Sequence, residues 1–237
     1  MRIVFIRHAE PDYENDTVTP KGRREAEILA GRVSKWDVKD FYCSPYGRAV
    51  ATAAPTLEKC GREAIVYDWL KEFYYRVYLP ENGQEHIAWD FMPSYFCPND
   101  DLHDKDKWTQ TQLMCSGNIE GYAREVYTGF DALLAEHGYV RRADGVYEVR
   151  EHNDDTLVFF CHLGVSMLIM GHLTGIAAPS LWQGFFMAPT SVNVLCSEER
   201  QEGEASFRIQ TLGDVRHLIE AGEPVSSSGY FTNFFEG

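Results

Sequence analysis

Arg7, His8, Arg48, Glu72 and His162 are the polar residues of this 237-residue sequence whose positions point to chemistry. Each comes at or shortly after the end of a short run that reads as a strand: residues 3–6, 41–43, 64–67 and 156–161. In open α/β sheets ligands bind outside the carboxyl ends of the strands. If these strands are parallel neighbours, two histidines, two arginines and one carboxylate meet on one rim. That set fits phosphoryl transfer. Planar guanidinium groups match phosphate oxygens bidentately. The start of the helix carrying Arg48 adds N–H groups and a positive dipole end. A neutral imidazole is a competent nucleophile at pH 7. A protonated carboxyl can hand its proton to a leaving oxygen, an effect of ~10²–10⁴-fold.

The elements that must position these residues are legible as patterns. Residues 3–6 and 156–161 are continuously or nearly continuously apolar, as strands buried on both faces are. Thr19-Pro20 reads as an N-cap followed by proline at the first helical position, opening a helix through Ala26, Leu29 and Val33. Tyr46, Val50, Ala53, Leu57 and Cys60 step along one helix face, and Gly61 can end it. Residues 163–173 are apolar nearly all round, so that helix is expected to be buried. Residues 192–197 and 206–210 are further strand candidates. The alternation implies a three-layer α/β sandwich with a largely parallel central sheet flanked by helices, residues 1–237 forming one domain.

Two stretches break the alternation. Residues 73–118 hold nine aromatics and no clear period. A segment that long within a domain is functional or disordered, and its aromatics argue against disorder. It reads as an ordered insertion, either a satellite core or a lid that shapes specificity. Ala143-Asp144-Gly145 marks a small hairpin, read as an accessory to the main sheet.

Lysine plus arginine total 22 against 36 aspartates and glutamates, a net charge of −14. A field of that sign repels nucleic acid and anionic lipid. A small anion binds only where arginines reverse the field locally. The six cysteines form no C-x-x-C pair, which fits a reduced, cytoplasmic chain. No run reaches the ~18 apolar residues of a membrane helix.

Four segments together resemble the histidine phosphatase superfamily, in its phosphoglycerate mutase-like branch. Arg7-His8-Ala9-Glu10 resembles the R-H-G/A-E motif. Ser44-Pro45-Tyr46-Gly47-Arg48-Ala49-Val50-Ala51-Thr52-Ala53 resembles S-P-x-x-R-A-x-x-T-A. Thr19-Pro20-Lys21-Gly22-Arg23-Arg24-Glu25-Ala26 resembles T-x-x-G-x-x-Q-A. Residues 158–165 resemble the strand carrying the second histidine. The resemblance implies a phosphatase acting on small phosphomonoesters through a phosphohistidine at His8. Arg7 and Arg48 would bind the phosphate, and His162 would bind it and stabilise the transition state. Glu72 would be general acid and then base. Asn15, Thr19 and Leu163 are candidate substrate contacts. No metal and no cofactor are implied, because the arginines neutralise the charge. The departures are Ala9 after the nucleophile, Leu163-Gly164 after the second histidine, Asn15 one residue further on than usual, and Phe73-Tyr74-Tyr75 after Glu72.

Other readings stand beside this one. The protein can be a phosphoglycerate-mutase-type phosphomutase, a phospholigand-binding module without turnover, or, with His8 and His162 sharing a cation, a zinc hydrolase. Glu81 or Glu85 can replace Glu72 as the acid. His86, His103 and His172 read better as surface or packed residues than as ligands. The aspartates at 100, 101, 104 and 106 read as a solvated charge run. Ser226-Ser227-Ser228-Gly229 reads as flexible, and Phe231, Phe234 and Phe235 as a docking element for which a second copy of the chain is a candidate partner.

Overall fold

The computed structural model describes residues 1–235. Strands β1 (Arg2–Arg7), β2 (Asp40–Cys43), β3 (Ile65–Val66), β4 (Tyr139–Arg141), β5 (Tyr147–Val149), β6 (Thr156–Cys161), β7 (Val192–Gln201) and β8 (Glu204–Asp214) build one sheet in the order β3-β2-β6-β1-β7-β8-β5-β4. The first four pair in parallel. The others add on antiparallel, so β8 and β4 again point the way of the parallel four. The main helices are α1 (Pro20–Val33), α2 (Gly47–Cys60), α3 (Ile119–Glu136) and α4 (Leu163–Thr174).

Why the central strands are apolar throughout follows from the layers. Successive side chains of a strand point to opposite faces. Val4, Ile6, Val158 and Phe160 pack with Leu29 and Val33 of α1 and Ala49 and Ala53 of α2. Ile3, Phe5, Leu157 and Phe159 pack on the other face with α3 and α4. There Phe5, Phe130 and Phe159 form a buried trio with ring centroids 5.2–6.1 Å apart. Each such buried ring contributes about 1.5–3 kcal/mol. Helix α4 is buried almost all round, which is why it carries no amphipathic period.

The insertion is not a satellite core. It contains a hairpin, Arg76–Tyr78 against Glu85–Ile87, and short helical turns. Its Phe73, Val77, Phe91, Trp108 and Leu113 belong to the same apolar cluster as α3 and α4. The hairpin turning at Gly145 (φ 87°) forms as expected. It is not an accessory, however: β5 pairs with β8, making the hairpin the edge of the main sheet.

The tail from Val225 to Tyr230 also differs from the flexible reading. Val225 and Ser226 are buried, the Ser226 hydroxyl donates to Glu10 Oε2 at 2.8 Å, and Tyr230 stacks on Phe186 at 4.3 Å. Phe234 packs against the apolar cluster of Ala188, Val215, Leu218 and Val225, while Phe231 and Phe235 are exposed. Among the described residues no helix is long and apolar enough to cross a membrane, and the six cysteines are free.

Candidate active site

Strand register brings the two histidines together. Arg7 of β1 stands opposite Cys161 of β6, so the next residues, His8 and His162, leave the sheet side by side with ring centroids 5.2 Å apart. On the other flank of β6, Cys43 stands opposite Phe160, and Ser44 Oγ lies 2.8 Å from His162 Nε2. Among the described residues the His162 Nδ1 has no hydrogen-bond partner.

Thr52 ties the rim to α2. Its hydroxyl accepts from the Ala9 N–H at 2.9 Å and donates to the Arg48 carbonyl at 2.7 Å. A similar clasp holds the start of α1. Thr19 Oγ1 caps Gly22 N and donates to Glu10 Oε1, while the buried Glu25 accepts from Glu10 N. Adding a Cβ at Gly22 would drive it into the Glu10 carbonyl.

Arg7, His8, Arg48, Glu72 and Leu163 line one cavity of about 460 Å³. His162 sits a layer deeper and is fully buried. Arg7 is buried; its Nη1 donates to the Met187 carbonyl at 2.7 Å and Tyr13 is a further hydrogen-bond partner, while among the described residues Nε has none. A buried guanidinium left partly unsatisfied calls for an anion. Arg48 is partly buried, pairs through Nη1 with Asp16 Oδ1 at 2.8 Å, and lies against the rings of Tyr46 and Tyr13. The other Asp16 oxygen accepts from Gly47 N at 2.7 Å. The first N–H of α2 is therefore occupied by a carboxylate of the chain, not left open for a ligand as the sequence pattern predicts.

Burial, reinforced by Arg7 and Arg48, drives the His8 pKa well below the usual histidine range. Its Nδ1 lies 2.8 Å from the Ala9 carbonyl. A carbonyl only accepts, so Nδ1 carries the proton and Nε2 keeps its lone pair. His162 is likewise held neutral by burial, with His8 and Arg48 adding to the effect.

Glu72 follows a short turn, Asp68–Leu70, pinned by the buried Leu70. Burial raises its pKa, opposed by the hydrogen bond from Phe73 N and by the charge of Arg7. Oε1 accepts from Phe73 N at 2.8 Å and from Val165 N at 3.2 Å. Because Oε1 is committed as an acceptor, a proton on this carboxyl sits on Oε2. Glu81 and Glu85 are exposed, Glu85 faces Arg76 at 3.4 Å, and neither lines the cavity.

Gly164 leaves room for this carboxyl. A Cβ there would stand 2.6 Å from Glu72 Oε1 and 2.8 Å from the Trp89 ring. Gly164→Ala is therefore expected to displace Glu72 and lower kcat by about tenfold or more, since a misplaced acid loses much of its contribution. Steady-state kinetics beside a thermal melt separates this from unfolding.

Two candidate contacts are not brought to the cavity. Asn15 is exposed and turned onto Asp12, which accepts from its Nδ2 at 2.8 Å. Thr19 spends its hydroxyl on the α1 cap and Glu10. Conversely, Tyr13, Tyr46, Tyr74, Ile87, Trp89 and Gly229 line the cavity, and sequence reasoning did not single them out. The aromatic density of 73–118 was the signal available for Tyr74 and Trp89; nothing local marks Gly229. His172 stacks on Tyr127 and bonds Asp131 as a packed residue. The aspartate run is a surface network with Lys105 and Lys107. Among the described residues no group of three or more His, Cys, Asp or Glu is placed to hold a metal ion.

Residues 3–89 match the family model described as histidine phosphatase superfamily (branch 1). The 2,3-bisphosphoglycerate-dependent phosphoglycerate mutase of Thermoplasma acidophilum is 32% identical over 72 residues, covering 26% of this chain and 36% of that one. The matched part thus spans about a third of that relative's length. Among solved structures, a mycobacterial glucosyl-3-phosphoglycerate phosphatase superposes with a TM-score of 0.60 at 18% identity, covering 90% of this chain and 98% of the other. A phosphoserine phosphatase from Entamoeba histolytica, bound to 3-phosphoglyceric acid, gives 0.58 at 16% identity, covering 92% and 98%. At these identities the structures share the fold.

Proposed function

We propose that this chain, which belongs to the histidine phosphatase superfamily, hydrolyses phosphate monoesters through a phosphohistidine at His8 and needs no metal to do so. The observation that carries the reading is the under-satisfied Arg7 beside a neutral His8 in a cavity that also holds Arg48 and a buried carboxyl. The ester's phosphoryl oxygens dock on the two guanidinium groups, which neutralise charge in the transition state. His8 Nε2 attacks phosphorus as the bond to the ester oxygen breaks, and Glu72 Oε2 gives its proton to that oxygen. His162, buried beside His8 and held by Ser44, positions the His8 ring. Glu72, now a carboxylate, takes a proton from water; the water oxygen bonds phosphorus, the P–N bond breaks, and orthophosphate leaves with His8 restored.

The mutase relative favours a second reading, in which the phosphoenzyme returns its group to a reoriented substrate. The discriminating measurement incubates the protein with a panel of phosphomonoesters and follows orthophosphate and alcohol, with and without chelator. Equal release of both, unchanged by chelator, is the expected result. Phosphoryl exchange between substrate molecules without orthophosphate would select the mutase. No turnover, with vanadate still raising the melting temperature, would select a binding module.

A further inference from the structure

We infer that the cavity selects phosphate monoesters whose alcohol carries a planar aromatic ring. This rests on the phosphatase reading and goes on to specify the leaving group. Outside the phosphoryl-binding set, the walls are Tyr13, Tyr46, Tyr74, Ile87, Trp89 and Leu163. They come from separate segments: the loop after β1, the residue before α2, the insertion, and the start of α4. Unrelated stretches of chain therefore converge on one apolar, largely aromatic wall.

The wall is held in place before any ligand arrives. One edge of Trp89 packs over Gly164, its carbonyl accepts from Gln183 Nε2 at 2.8 Å, and Tyr74 meets its ring edge-on at 6.5 Å. Tyr13 stands edge-on to His8 at 6.4 Å, next to the candidate nucleophile. Tyr13 and Tyr74 are 64% and 51% exposed, so each has ring surface that a bound aromatic group would cover.

Charge argues the same way. Among the described residues Arg7 and Arg48 are the cationic side chains that line the cavity, and on the phosphatase reading the phosphoryl group takes both. Arg76 lies over the Tyr74 ring at 4.6 Å and faces Glu85. A leaving group with its own carboxylate or second phosphate would lose water here without a free counter-ion. The net charge of −14 adds to that penalty.

The test compares esters with similar alkyl leaving oxygens, so that intrinsic reactivity does not set the outcome. 2-Naphthylmethyl and benzyl phosphate are measured against glycerol 3-phosphate, 3-phosphoglycerate and phosphoserine. The expected kcat/KM advantage of the aromatic esters is about tenfold or more, the scale set by burying a ring against other rings. Tyr74→Ala and Trp89→Ala are expected to shrink that ratio. Binding of 2-naphthylmethylphosphonate and 3-phosphonopropionate is measured in parallel by calorimetry. The phosphatase reading fails if no ester is hydrolysed. The ring preference fails if the phosphonates bind equally or the charged one binds tighter, whether or not any ester turns over.

Discussion

His8→Ala is expected to lower phosphomonoester turnover by about 10⁴-fold or more and to remove all phosphoryl labelling of the protein. Alanine removes the single lone pair that the Ala9 carbonyl, by fixing the proton on Nδ1, leaves on Nε2. The two arginines carry no lone pair for attack, Glu72 is tied down through Oε1, and His162 lies a layer deeper against Ser44. The measurement is a rapid quench after mixing with a labelled ester. Wild type should give an adduct stable in base and labile in acid, and His8→Ala should give none. His162→Ala serves as the comparison: it should slow labelling yet leave the adduct on His8. Label persisting in His8→Ala would move the nucleophile elsewhere. The pH profile provides a second check. A depressed pKa keeps His8 unprotonated to lower pH, so the acid limb of kcat/KM should fall below the ordinary histidine value of about 6.5.

How much of this site the sequence exposed depends on the range of the interactions involved. Two apolar runs each ending at a histidine were readable because strands buried on both faces leave no polar alternation, and parallel register then makes their ends neighbours. Thr19-Pro20 and Gly61 were readable because caps are local. Glu72 was of a different kind. Its position after a strand run and the family resemblance both pointed to it, but its setting depends on Val165 N, 93 residues away. Asn15 was chosen as a substrate contact although it lies one residue further on than usual, and the structure turns it onto Asp12, a pairing inside the loop that no period announces. The aromatic wall was visible as composition but not as geometry: the hairpin that bears Ile87 and is flanked by Tyr74 and Trp89 is short, and the side chains of this stretch divide between core and cavity. Gly229 reaches the cavity because Ser226 is tied to Glu10, across most of the chain, and Tyr230 is stacked on Phe186.

Glu72→Gln tests the other half of the chemistry. The amide keeps the shape and leaves an oxygen to accept from Phe73 N and Val165 N, so the fold and the phosphoryl-binding groups stay in place. What it lacks is a proton to give the leaving oxygen and a base to take one from water. Loss of about 10²–10⁴-fold in kcat is expected for alkyl phosphates. The loss in the labelling step should be much smaller for p-nitrophenyl phosphate, whose leaving oxygen departs without protonation; the hydrolysis step should remain slow, so the phosphoenzyme should accumulate. The pH dependence has a definite sign. Burial raises the Glu72 pKa, so the carboxyl keeps its proton to higher pH than an exposed glutamate. In the wild type, labelling by alkyl esters should therefore fall as pH rises through that shifted value. In the glutamine variant this alkaline limb should be absent. If the limb persists in Glu72→Gln, or if the variant loses aryl and alkyl substrates equally, the proton comes from another group.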